Sequence, residues 1–253
     1  MPLSQAKIDQ YHRDGQISVP DLLTSDQLDT LRQRIEDIAE NRLDFPEDCL
    51  EYEPGVEQRR SLLTLRKING PADHDPFFVE HAAAPALLET VQALLGPDIK
   101  LFGDQIFMKP PGGLEKTYHQ DSPYFKIEPM ALVTAWVALD EVTLDNGCLW
   151  VVPGSHKNGP LEHSEPWMVG DRQDMKIPDN AFQRHREIPI TLPAGGVSFH
   201  HSLLLHRSGP NKTPHHRRGM ATHYMSSQSR WTGEPADKPK YPLLTGQEFA
   251  DCV

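Results

Sequence analysis

Cysteine is scarce in this chain: Cys49, Cys148 and Cys252 are the three in 253 residues. An odd number so widely spaced argues against a disulfide framework or a cysteine zinc site and for a reducing compartment, so the expected location is cytoplasmic. Long apolar runs are missing too. Nothing approaches the ~18 residues of a membrane-spanning helix, and the N-terminus, Met1-Pro2-Leu3-Ser4-Gln5, has no apolar signal core. Positive charge is short: 25 Lys and Arg against 36 Asp and Glu give a net charge of −11. A chain this acidic is expected to bind neither nucleic acid nor an anionic membrane surface non-specifically. There is no internal repeat and no low-complexity segment.

Proline, at 23 residues, is plentiful and favours many turns over long helices. Helical signals cluster in the first hundred residues. Thr24-x-x-Gln27 has the form of a capping box and opens a segment with Leu28, Leu31, Ile35 and Ile38 at helical spacing. Residues 85–95 repeat the pattern, and Gly96-Pro97 stops it. The acidic stretch 44–58 reads as a loop. From residue 98 the period changes to two, and 100–108, 132–139, 149–152, 187–192, 196–206 and 219–225 read as short strands between turns. That pattern implies a mainly β fold, a sandwich or jelly-roll barrel with N-terminal helices on its flank. One domain accounts for residues 1–253: a largely helical flank over 1–97, a β core over 98–225 and a tail over 226–253. The polar stretch 154–186, with Trp167 and Met168, has the length of a functional lid.

The main chemical signal is His119-Gln120-Asp121. A chain with 13 His and 20 Asp holds roughly one His-x-Asp triplet by chance; this one holds two. The other, His12-Arg13-Asp14, falls in a helical stretch, where positions i and i+2 point about 200° apart. In an extended segment the same spacing puts both side chains on one face. Residues 119–121 sit between Pro110-Pro111-Gly112-Gly113 and Pro123, which suits extension. Two imidazoles and one carboxylate bind a divalent iron on one face and leave the other open for chemistry. Three histidines compete to be the second imidazole: His200, His201 and His206. His206 stands at the mouth of its strand, just before Ser208-Gly209-Pro210-Asn211, yet position alone leaves the choice open. Arg217 mirrors residue 206 about a reversal at Asn211 and Lys212, and its guanidinium offers a bidentate fork to a carboxylate. Arg217 and Arg218 read equally well as solvated charges beside His215 and His216.

A wider pattern surrounds these residues. Its blocks are Met108-Lys109-Pro110-Pro111, His119-Gln120-Asp121, Thr134-Ala135-Trp136-Val137-Ala138-Leu139, Asn146-Gly147-Cys148-Leu149, Val152-Pro153-Gly154-Ser155-His156 and His206-Arg207-Ser208-Gly209-Pro210-Asn211. From about Lys67 to Met225 the chain resembles the phytanoyl-CoA dioxygenase family, non-haem iron(II), 2-oxoglutarate-dependent oxygenases that include phytanoyl-CoA and ectoine hydroxylases. The resemblance implies a double-stranded β-helix, a jelly roll or cupin-like barrel with helices packed outside. It implies that His119, Asp121 and His206 ligate iron(II), and that Arg217 with Ser208 receives the distal carboxylate of 2-oxoglutarate. Gln105, Trp136 and Lys67 match positions that contact this co-substrate in relatives. The segments 146–149 and 153–156 read as structural turns and strands.

The implied chemistry consumes O2 and 2-oxoglutarate, releases succinate and carbon dioxide and hydroxylates a C–H bond, while the protein supplies geometry and excludes water. Asp121 argues for hydroxylation, or for desaturation, epimerisation or ring closure, since related halogenases replace this carboxylate with a small residue. One rival is a cupin-like metal enzyme that does not use 2-oxoglutarate, in which Arg217 is dispensable and His200 or His201 is a ligand. Another is a non-catalytic relative that keeps the fold and binds a metal or ligand. The expected partner is a small-molecule substrate and not an acyl-CoA, because no clear basic patch for nucleotide phosphates is visible, although Lys176, Arg184 and Arg186 can meet in three dimensions. The stretch 154–186 and the tail, with Trp231 and Tyr241, are expected to choose it. Tyr118, Tyr124, Phe125 and Trp150 are candidates to line its pocket, with simple packing the commoner role for such aromatics.

Overall fold

The structure, a computed structural model, describes residues 3–167, 174–183 and 186–253; Met168 and Arg184 lie outside these residues, as does the side chain of Tyr124. The first hundred residues hold helices α1 (Gln5–Asp14), α2 (Ser25–Ala39), α3 (Pro71–His74), α4 (Pro76–Ala82) and α5 (Pro85–Leu95). Strands β1 (Gln16–Val19), β2 (Leu50–Tyr52) and β3 (Leu65–Asn69) run among them. Beyond these come β4 (Ile99–Lys109), β5 (Lys116–His119), β6 (Ile127–Glu128), β7 (Val133–Ala138), β8 (Leu149–Val151) and β9 (Glu165–Trp167). The series ends with β10 (Asp174–Lys176), β11 (Ile188–Ile190), β12 (Val197–His201), β13 (His206–Ser208), β14 (Arg217–Ser226), β15 (Arg230–Trp231) and β16 (Leu243–Thr245).

Two antiparallel sheets make the barrel, in agreement with the mainly β, jelly-roll expectation. The major sheet runs β1-β12-β7-β14-β4-β3-β2, with β16 added to β4, and the minor sheet runs β11-β8-β13-β5. Side chains alternate along each strand of the major sheet. Ile106, Val133, Ala135, Val137, Phe199, Met220 and Tyr224 point outward into a core shared with Leu28, Leu31 and Ile35 of α2 and Leu87 and Val91 of α5. The helices are held where the caps predict: Thr24 and Gln27 form the capping box of α2, and Gly96 ends α5. The opposite row of side chains faces a cavity enclosed by both sheets.

Two expectations change. Residues 196–206 are not one strand: β12 belongs to the major sheet, the chain turns at 202–205, and β13 joins the minor sheet. The corner is built on buried Ser202. Its amide donates to the Leu132 carbonyl at 3.1 Å, and its carbonyl accepts the amides of Asp121 and Ser122 at 2.9 and 3.1 Å. The acidic stretch 44–58 also contains β2, paired to β3, where Glu51 accepts the Asn69 side-chain amide at 2.6 Å.

Candidate active site

The antiparallel pairing of β5 and β13 sets His206 directly opposite His119, with ring centres 4.1 Å apart. β5 stops at His119, and Asp121 adopts a right-handed helical conformation at the start of a 3-10 turn. The two residues therefore share a face because the chain coils after the strand, and not because extension continues through both. Gln120 turns away. Its amide group donates to the carbonyls of Gly159 and Leu203 at 3.0 and 2.7 Å, and its oxygen accepts the Leu161 amide at 2.7 Å.

One donor atom from each of His119, Asp121 and His206 lies within 4.8 Å of the others. Asp121 Oδ1 is 3.8 Å from His119 Nε2 and 3.7 Å from His206 Nε2. His119 Nδ1 is 2.8 Å from the Thr117 carbonyl and His206 Nδ1 is 2.9 Å from the Leu204 carbonyl. A carbonyl only accepts, so each Nδ1 carries the proton and each Nε2 presents a lone pair inward. Burial pushes His119 well below the ordinary histidine range and His206 below it too, towards the neutral form that binds metal. Two such nitrogens and one carboxylate, with space beyond them, fit a divalent iron.

Behind the triad lies a cationic cradle. Arg217, the first residue of β14, pairs in register with Lys109, the last of β4. Arg217 is 2% exposed, its Nε has no partner, and no described carboxylate lies within ion-pair distance of it. Burial lowers its pKa to about 10, so it stays charged at neutral pH. The guanidinium sits 5.4 Å over the Trp136 ring. That ring lies flat across β14 because residue 219 is glycine; a Cβ there would come within 2.1 Å of the indole. Lys109 Nζ donates to Ser208 Oγ at 2.8 Å and to the Gly209 carbonyl, which leaves the Ser208 hydroxyl proton free for another acceptor. Burial, with Arg217 and Arg66 nearby, holds the Lys109 amine well below its usual range.

The surrounding sequence blocks hold this cradle in place. Asn211 Nδ2 donates to the carbonyls of Lys109 and Pro110 at 3.0 and 3.1 Å. The Asn211 amide donates to the Gly113 carbonyl, and its carbonyl accepts the Gly112 amide. Gly147, at φ +91°, lets the Gly209 carbonyl approach: a Cβ would meet that oxygen at 2.4 Å.

Gln105, Trp136, Lys67, Ser208 and Arg217 all line one cavity of about 430 Å³ with the triad. Lys67 Nζ is 3.7 Å from Glu51 and lies 5.5 Å over Phe107. Of the competing histidines, His200 shares the cavity and stands 3.8 Å from Asp121 Oδ2. His201 points away, towards His156 and Tyr11, and its Nδ1 accepts the Leu203 amide at 3.0 Å. Phe125 lines the cavity, whereas Tyr118 donates to Glu187 and Trp150 packs under Arg207. The tail braces the wall from behind: Tyr241 stacks on Phe102, which packs on Phe125. Trp167 sits between Arg66 and Lys116, at 5.8 and 5.4 Å, and both of those line the cavity. Sequence reasoning missed Lys109, Thr134 and His223 as cavity residues. Strand phase is the signal that finds them, since Lys109 is in phase with Gln105, Thr134 with Trp136 and His223 with Arg217.

The family model for phytanoyl-CoA dioxygenase (PhyH) matches residues 11–219. A probable phytanoyl-CoA dioxygenase from Caenorhabditis elegans is 29% identical over 227 residues, covering 85% of this chain and 72% of that protein. The crystal structure of EctD from S. alaskensis with 2-oxoglutarate and 5-hydroxyectoine has a TM-score of 0.74 at 22% identity, over 99% of this chain and 86% of its own. The epimerase SnoN in complex with Fe3+, alpha ketoglutarate and nogalamycin RO has a TM-score of 0.73 at 20% identity, over 95% of this chain and 98% of its own.

Proposed function

The chain belongs to the phytanoyl-CoA dioxygenase family of non-haem iron, 2-oxoglutarate-dependent oxygenases, and we propose that it hydroxylates an unactivated C–H bond of a small-molecule metabolite. The observation that carries this is Arg217, a buried charged guanidinium without a carboxylate partner, lining the same cavity as the triad. An isolated buried charge costs several kcal/mol, and a dicarboxylate co-substrate supplies the missing anion. His119, Asp121 and His206 would hold iron(II). The metal and 2-oxoglutarate supply the oxidising chemistry, with release of succinate and carbon dioxide.

The residues of the chain do the rest. Arg217 and the Ser208 hydroxyl receive the distal carboxylate, Lys109 fixes the Ser208 oxygen, and Trp136 forms the flat wall beside them. Gln105 and Lys67 extend the polar lining, while Phe107, Leu114, Phe125 and Met175 supply apolar surface that excludes water from the reacting end. A cavity of about 430 Å³ lies near the small end of ligand pockets. Shared with a co-substrate, it suits a compact metabolite or the acyl end of a larger molecule. The retained carboxylate at Asp121 supports hydroxylation over halogenation. Three free cysteines support a reducing, cytoplasmic location.

The test is succinate formation from 2-oxoglutarate under air, with and without iron(II). We expect slow succinate release that needs iron, disappears in Asp121→Ala and accelerates when a small metabolite that fits is added. Iron-loaded protein that makes no succinate would remove the co-substrate assignment.

A further inference from the structure

The two oxygens of Asp121 have different surroundings. Oδ1 faces His119 and His206. Oδ2 faces the major sheet, where it accepts the Thr134 hydroxyl at 3.3 Å and lies 3.8 Å from His200 Nε2. Thr134 on β7 is registered with His200 on β12 and with His223 on β14, so the three project from one row of the inner face. His223 Nδ1 lies 2.9 Å from Thr134 Oγ1, and both residues are buried. Counting protons fixes the direction of this chain. A carboxylate only accepts, so the single Thr134 hydroxyl proton points to Asp121, and His223 must supply the Nδ1–H. His223 Nε2 is then a buried nitrogen without a partner, in a ring 5.6 Å from that of Phe125.

We propose that Thr134 and His223 are positioning residues that keep Asp121 a one-oxygen ligand and so preserve three open positions on the metal. The inference rests on the iron and 2-oxoglutarate reading above. Carboxylates bind cations through one oxygen or through both, and the choice depends on what holds the second oxygen. A two-oxygen Asp121 would occupy a place that the co-substrate needs. The Thr134 hydroxyl, itself held by His223, retains Oδ2 on the far side. The arrangement also joins the two halves of the barrel: His119 and His206 lie on the minor sheet, whereas the restraint comes from the major sheet.

The discriminating readout is the ratio of two affinities, because a merely structural pair would weaken both together. Iron(II) binding to metal-free protein is measured anaerobically by quenching of intrinsic fluorescence. Binding of 2-oxoglutarate to the iron(II) protein is measured by its visible charge-transfer band. In Thr134→Val we expect iron affinity within about threefold of wild type, or tighter, and 2-oxoglutarate binding weaker by about tenfold, the low end of effects from groups behind the ligands. Thr134→Ser should behave as wild type. His223→Leu should repeat the split, and His223→Asn, which keeps a donor near the Nδ1 position, should reverse it. The His223 variants decide the matter if Thr134→Val does not fold. Variants that bind 2-oxoglutarate as wild type does, or that lose iron and 2-oxoglutarate in the same proportion, overturn the proposal. A wild-type protein that binds iron and shows no band overturns the co-substrate reading instead.

Discussion

Arg217 and Arg218 are adjacent on one strand, and their surroundings are opposite. Arg218 points outward. It pairs with both oxygens of Asp140 at 2.9 Å and with Glu36 of α2 at 2.6 Å, and against the cost of burial these carboxylates raise its pKa. Arg217 points inward, more deeply buried than Arg218 at 2% against 9% exposed, and no described carboxylate lies beside it. The same contrast runs across the whole major sheet. On its helix-covered face, apolar side chains fill a continuous core and Tyr224 donates to the Ala82 carbonyl at 3.0 Å. On its inner face, Arg217 Nε, His200 Nδ1 and His223 Nε2 have no partner. Buried polar groups that only help fold the chain are mostly satisfied, and the orphan hydroxyls of the helix-covered side, Tyr11 Oη and Thr222 Oγ1, are neutral. On the inner face a charged guanidinium and two imidazoles stand unsatisfied around one cavity, which marks where something else is bound.

Several substitutions sharpen or break this comparison. The largest effect belongs to the triad: Asp121→Ala or His119→Ala should weaken iron(II) binding by roughly 10³-fold or more, well beyond the 10–100-fold typical of supporting groups. Isothermal titration would read this directly. Next comes the arginine pair, which should separate cleanly. Arg217→Ala should weaken 2-oxoglutarate binding by about 10²-fold, as expected for losing one side of a buried charge pair, while leaving the melting temperature unchanged or higher. Arg218→Ala should do the reverse, costing about 2–4 kcal/mol of stability by taking the guanidinium from Asp140 and Glu36 with 2-oxoglutarate affinity within about twofold. If both variants lose stability equally, the distinction between the two faces is wrong.

Gly219→Ala should act more mildly, because its Cβ must displace the Trp136 ring. Overpacking of that kind costs about 1–3 kcal/mol, and we expect about tenfold weaker 2-oxoglutarate binding; a variant that binds normally would show that Trp136 is plain core. The smallest effect concerns pH. Burial and its cationic neighbours hold the Lys109 amine below its usual range, and a dianion beside it raises it again. At pH values between those two settings binding takes up protons, so 2-oxoglutarate affinity should fall as pH rises through that window, by about threefold per pH unit for half a proton taken up. Lys109→Met should flatten that slope.

Much of this was legible from the chain itself. β4, β7 and β14 show their period because each has apolar residues on one face and turn residues at its ends, and α2 and α5 carry their own caps. The corner at 202–205 is hidden because Leu203-Leu204-Leu205 carries the apolar run straight through a change of sheet, with Leu204 and Leu205 entering different clusters. β2 is hidden because its edge position accepts charged residues. In the site, spacing suggests that His119 and Asp121 belong together, and the family resemblance adds His206. The register that sets His206 opposite His119 is a long-range pairing with no local trace. Arg217 cannot be told from Arg218 by composition. Only phase separates them, since 217, 219, 221 and 223 face the cavity and 218 faces Asp140 and Glu36, which lie far away in sequence. Lys109 and the Thr134–His223 pair were missed for the same reason: their partners lie on other strands.

The most direct test is an anaerobic titration of the iron(II) protein with 2-oxoglutarate, followed by its visible charge-transfer band in wild type, Arg217→Ala and Arg218→Ala. A band in all three, needing about 10²-fold more 2-oxoglutarate only in Arg217→Ala, is the predicted result. A band that ignores Arg217, or none in iron-loaded wild type, would contradict the inner face as a co-substrate site.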